Sequence, residues 1–240
     1  MTPEGRGSGC GGMLATLVVM ALVISGVVWV SPALDLGSVR RTVLTHDSLD
    51  GVPGSGGDGY SFISTTSTGR PVTWACEARI ELVVNPEGAP DGYAELVASA
   101  VATVNGVSSF SLEVGGETED RSFLERGRGP VLLGWADEEE VPQLAGPTAG
   151  IGGASYVTGP GGTGSGTAVG GMVVIDRDLP RGWFVGVDEE AVLVHELLHV
   201  LGLGHTDDGS QLMAAENTGQ SALGEGDLAG LAALEETACG

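Results

Sequence analysis

The stretch His195-Glu196-Leu197-Leu198-His199-Val200-Leu201-Gly202-Leu203-Gly204-His205 decides how this chain is read. As a pattern it is H-E-x-x-H-x-x-G-x-x-H, with five of its eleven positions fixed by type. On an α-helix, residues four apart stand one turn above the other on one face. His195 and His199 therefore point the same way, and both can reach one zinc ion at about 2.0–2.1 Å. A third ligand from the next turn would crowd the first two, so the chain has to bend back. Gly202 permits this: it takes φ > 0, ends the helix and returns the backbone that carries His205.

Three protein ligands leave a fourth position for water, which separates a catalytic zinc site from a closed structural one. Zinc lowers the pKa of that water towards about 7 and polarises a scissile carbonyl. Glu196, one position on from the first ligand, is placed beside the metal as general base, taking a proton and passing it to the leaving amine. The reaction class implied is peptide-bond hydrolysis without a covalent intermediate. A helix is predicted over Val187 to Leu201, with Asp188 as cap and Glu189 and Glu190 at the positive end of the dipole. A lone histidine among apolar residues is usually a hydrogen-bonded core residue. Here three of the four histidines in the chain fall within eleven residues, at ligand spacing and beside an acid.

With Met213 eight residues beyond His205, the signature resembles that of the metzincin metallopeptidases, in particular bacterial matrixin-like peptidases. Gly170 to Asp176 stands before the helix as a strand does in that group, and Leu223 to Leu234 is similar to its final helix. The resemblance spans residues 70 to 240. It implies an α+β fold: a twisted mixed β-sheet packed on two long helices, with a small C-terminal subdomain after the zinc helix. It implies that Met213 lies in a tight turn as an apolar floor beneath the imidazoles. It also implies that an edge strand, around Ala154 to Val157 or Thr167 to Gly171, binds the substrate backbone. The chain departs from the group in several ways. Ala214 and Ala215 follow Met213, so no tyrosine ligand is expected. Thr206 follows the third histidine, and only His46 remains outside the signature, so no second zinc is expected. Calcium is common in such folds; Asp176 and Asp178 are the candidates, although two aspartates in a loop are more often solvated turn residues.

The net charge is −22, and lysine is absent. That balance argues against nucleic-acid partners and against adhesion to anionic lipid. Met13 to Val30 is an uncharged apolar run of 18 residues. It reads as a single-pass anchor with the catalytic domain outside the cell. Alternatively it is a signal segment cleaved near Ser31-Pro32-Ala33, which makes the protein secreted. Export makes a Cys76–Cys239 disulfide the natural pairing, with Cys10 left before the apolar run.

The organisation expected is a tail over 1–12, the anchor or signal over 13–34, a flexible linker or short pro-segment over 35–69, and the catalytic domain over 70–240. Strands are predicted around Ile80 to Asn85, Phe110 to Val114, Val131 to Trp135, Ser155 to Thr158 and Thr167 to Asp176. Tyr93, Leu96, Val97, Ala100, Val101 and Val104 make one helical stripe. The sequence thus reads as an exported, monomeric zinc endopeptidase acting on peptides or proteins. Its rival is a non-catalytic surface protein in which zinc staples the fold or the cleft only binds peptides.

Overall fold

The structure, a computed structural model, describes residues 54–158, 166–179, 188–216 and 219–240. The tail, the apolar run over 13–34 and the first part of the expected linker lie outside these residues. Among the described residues no helix is long and apolar enough to cross a membrane.

In chain order the elements are β1 (Gly54–Gly57), β2 (Tyr60–Phe62), β3 (Arg79–Val84), α1 (Tyr93–Asn105), β4 (Ser111–Glu117), β5 (Val131–Ala136), β6 (Gly150–Thr158), β7 (Gly166–Asp176), α2 (Glu189–Leu201), β8 (Leu203–Gly204) and α3 (Glu225–Cys239). Five strands form a mixed sheet in the order β4-β3-β5-β7-β6. The β3–β4, β3–β5 and β5–β7 pairs are parallel, and β6 runs antiparallel to β7 at one edge. Parallel neighbours need a crossover, and α1 supplies it between β3 and β4.

Burial follows the pleat. In β3, Ile80, Leu82 and Val84 are buried and alternate with more exposed neighbours, as a strand with one packed face requires. Every residue of β5 is buried, because this strand is covered on both faces. Val131, Leu133 and Trp135 of β5 join the main core with α1, α2 and α3. Leu132 and Ala136 join a second cluster with Phe123, Leu144, Ile151 and Met172 on the other face. Burying one such leucine or isoleucine stabilises the fold by roughly 1.5–3 kcal/mol relative to exposure.

Two stretches differ from the sequence expectation. Residues 54–62 read as linker, yet β1 and β2 form a hairpin that pairs with β8, giving a second sheet in the order β1-β2-β8. The strand expected near Ser155 begins at Gly150 and runs for 9 residues. Its glycines serve a close approach rather than a loop: a Cβ on Gly152 would stand 2.3 Å from the Glu196 carbonyl oxygen. Only a strand without side chains there can lie so near α2. Cys76 and Cys239 form a disulfide with their Cα atoms 4.8 Å apart, tying the start of the main sheet region to the end of α3. The chain-entropy description puts the closure of so long a loop at about 5 kcal/mol.

Candidate metal centre

The α2 helix begins where Asp188 accepts a hydrogen bond from the Ala191 N–H at 3.1 Å. Its residues from Ala191 to Leu201 are all buried. His195 and His199 therefore lie deep in the molecule, each with no exposed surface. At Gly202 φ is 120°, and its N–H returns to the carbonyls of Leu198 and His199. A Cβ there would meet the Val72 carbonyl oxygen at 2.9 Å. Glycine is required by both the backbone and the space.

The chain then turns through β8 and delivers His205. The Nε2 atoms of His195 and His205 lie 3.1 Å apart, and those of His199 and His205 lie 3.2 Å apart. Two nitrogens bound to one tetrahedral zinc at about 2.05 Å each would stand about 3.3 Å apart. The spacing fits. Among the described residues these three are the one group of three or more His, Cys, Asp or Glu side chains close enough to hold a metal ion.

The tautomers fit as well. His195 Nδ1 lies 2.8 Å from the Leu212 carbonyl oxygen, and His199 Nδ1 lies 2.7 Å from that of Leu203. A carbonyl only accepts, so both Nδ1 atoms carry the proton and donate. In the neutral rings each Nε2 is left with a lone pair aimed at the convergence point. This is the arrangement in which metal-binding histidines are held.

Further groups hold the turn that carries the Leu212 carbonyl. Asp227, fully buried in the first turn of α3, accepts from the N–H of Leu212 at 2.7 Å, of Met213 at 3.1 Å and of Gly224 at 2.8 Å. Gln211 accepts from Gly226 N–H at 2.8 Å and donates to Asp208 at 2.9 Å. Hydrogen bonds from the Ser210 hydroxyl and N–H hold the Asp208 carboxyl below the usual carboxylate range. Met213 is fully buried in the turn so fixed, and its carbonyl accepts from Thr206 N–H at 2.9 Å.

The carbonyls ending α2 are accounted for too. Val200 accepts from the Trp74 indole N–H at 2.8 Å, and Leu201 from the Thr73 hydroxyl at 2.8 Å. The Gly202 carbonyl accepts from Ile63 N–H at 3.0 Å.

Glu196 is fully buried, and a Cβ on Gly150 would lie 3.2 Å from its Oε1. The carboxylate thus sits under β6. A cleft of about 600 Å³ opens beside His205, bounded by Asp58, Tyr60, Ser61, Thr206 and Asp208 among others. Asp176 and Asp178, the calcium candidates, form a turn in which Asp178 N–H donates to Asp176 Oδ1 at 2.9 Å. Sequence reasoning missed Asp227, Gln211, Trp74, Thr73 and Ser61. Only Asp227 carried a signal, an acid in the first half of the stretch from Leu223 to Leu234, and an acid near a helix start speaks of capping alone.

No protein family matches this chain, and no curated protein matches it either. The site defines a mixed α/β protein with three histidines poised to hold a metal ion.

Proposed function

We propose that this chain is a zinc-dependent endopeptidase of metzincin type, exported and acting outside the cell. The observation that carries the reading is that the Nε2 atoms of His195 and His199 both lie within 3.2 Å of that of His205, the first two rings having their tautomer set by a backbone carbonyl. His195, His199 and His205 would hold the ion. When bound, zinc supplies Lewis acidity for a scissile carbonyl and for water.

The chain's own residues do the rest. Leu212 and Leu203 carbonyls orient two imidazoles. Glu196, next to the first ligand and buried beneath β6, takes the proton of the attacking water and returns it to the leaving amine. β6 is the edge of the five-stranded sheet, whereas β7 lies inside it. Between the two candidate segments, the edge position favours β6 around Ala154 to Val157 as the strand a peptide joins. Such strand addition gives affinity through main-chain hydrogen bonds.

The test is a peptide library incubated with zinc-loaded protein, with and without chelator. Cleavage that stops with chelator is expected. Glu196→Ala should abolish cleavage while retaining close to one zinc per chain, and His199→Ala should lose the metal. Cleavage surviving Glu196→Ala would remove the mechanism. Zinc binding without cleavage of any peptide would favour the non-catalytic surface protein.

A further inference from the structure

The β1–β2 hairpin belongs to the glycine-rich stretch that composition reads as linker. It stands against the backbone that delivers the third imidazole. Phe62 pairs with Leu203 and Ser61 with Gly204. The Ser61 hydroxyl donates to the His205 carbonyl at 2.5 Å. β2 is the strand partner of β8. His195 and His199 take their places from a hydrogen-bonded helix, but His205 belongs to neither helix nor strand. Its placement depends on what β8 is attached to.

The hairpin itself is anchored. Its turn meets the start of α3, where a Cβ on Gly226 would stand 2.3 Å from the Gly59 carbonyl oxygen. Tyr60 packs over Gly230, whose Cβ would fall 3.0 Å from the tyrosine Cβ. At the other end, a Cβ on Gly204 would meet the Ser61 Oγ at 2.7 Å. Glycines at 59, 204, 226 and 230 let three backbones close on one another. Loose linkers do not need such contacts.

We propose that this hairpin is a positioning element of the metal centre, and that Ser61 is its point of action. Its hydroxyl fixes the His205 carbonyl, and with it the register of the third Nε2 against the other two. The inference rests on the metal-site reading above. Groups that orient metal ligands contribute roughly 10–100-fold in affinity. Ser61 acts on a ligand's backbone, so the lower end of that range is expected.

The experiment is a competition titration of zinc against a chromophoric chelator. It uses the full chain, Ser61→Ala and Ser61→Thr, with visible spectra of the cobalt-loaded forms. Ser61→Ala should bind zinc about 10-fold more weakly and show an altered cobalt ligand-field band. Ser61→Thr, which keeps the hydroxyl, should restore both. Melting curves with and without zinc guard against a purely structural effect: the zinc-induced rise in Tm should shrink in Ser61→Ala. Wild-type affinity and spectrum in Ser61→Ala would overturn the proposal, as would an equal loss in Tm with and without zinc. Failure of the wild-type chain to bind either metal would overturn the metal-site reading itself, and this inference with it.

Discussion

At its N-terminus α2 is held by Asp188, three residues from the N–H it serves. At its C-terminus the helix is held by Ile63, Thr73 and Trp74, more than 120 residues away in sequence. Both ends satisfy backbone groups that a helix leaves open. They differ in what they carry. The N-terminal cap begins a helix, and any helix would use it. The C-terminal attachments lie beside the turn that brings His205 round, so they shape the metal centre as well as the fold. Variants at the distant supports should therefore lower stability and metal affinity together, and variants at the local cap should lower stability alone.

The largest effect is expected at Asp227, the distant support of the turn that orients His195. Asp227→Ala leaves three N–H groups without their acceptor. At about 1–3 kcal/mol for each one left buried and unpaired, the loss should be about 3 kcal/mol or more. Urea unfolding measures it, and zinc titration should show weaker binding; intact affinity would separate Asp227 from the site. Gly202→Ala comes next. It forces a side chain to φ 120° and against Val72, which should cost about 2–3 kcal/mol and displace His205. Trp74→Phe keeps an aromatic side chain, smaller than the indole, and removes the indole donor, leaving the Val200 carbonyl short of its partner. A loss of about 1–2 kcal/mol is expected, with a measurable weakening of zinc. The smallest effect is at the local cap: Asp188→Ala should cost about 1 kcal/mol and leave zinc affinity unchanged. A drop in metal affinity there would erase the contrast between the two ends.

The same contrast explains what was readable beforehand. The helix, its cap, the three ligand positions and the bend at Gly202 follow from rules that act within one or two turns. The stripe of α1 and the buried run of β5 are likewise local patterns, and the Cys76–Cys239 pairing follows from the cysteine count once export is assumed. The pairing of β2 with β8 joins residues 61–62 to residues 203–204, and no local pattern announces it. Glycines that allow close backbone approach look the same in sequence as glycines of a loose linker. For that reason Gly59 falls within the expected linker, and Gly152 falls outside the strand expected from Ser155 to Thr158. Asp227 lies in the stretch legible as a final helix, but its bonds to Leu212 and Met213 depend on a fold in which α3 meets that turn.

The reach of Asp227 also bears on how the protein is made. The three imidazoles span residues 195 to 205, yet the backbone that orients His195 is pinned only when residue 227 arrives. A chain synthesised from its N-terminus onward presents the β1–β2 hairpin well before α3. The three-histidine centre then stays incomplete until residue 227 has been made and α3 has docked. That order delays the metal-ready arrangement of the three histidines until the residues that hold it have all been made.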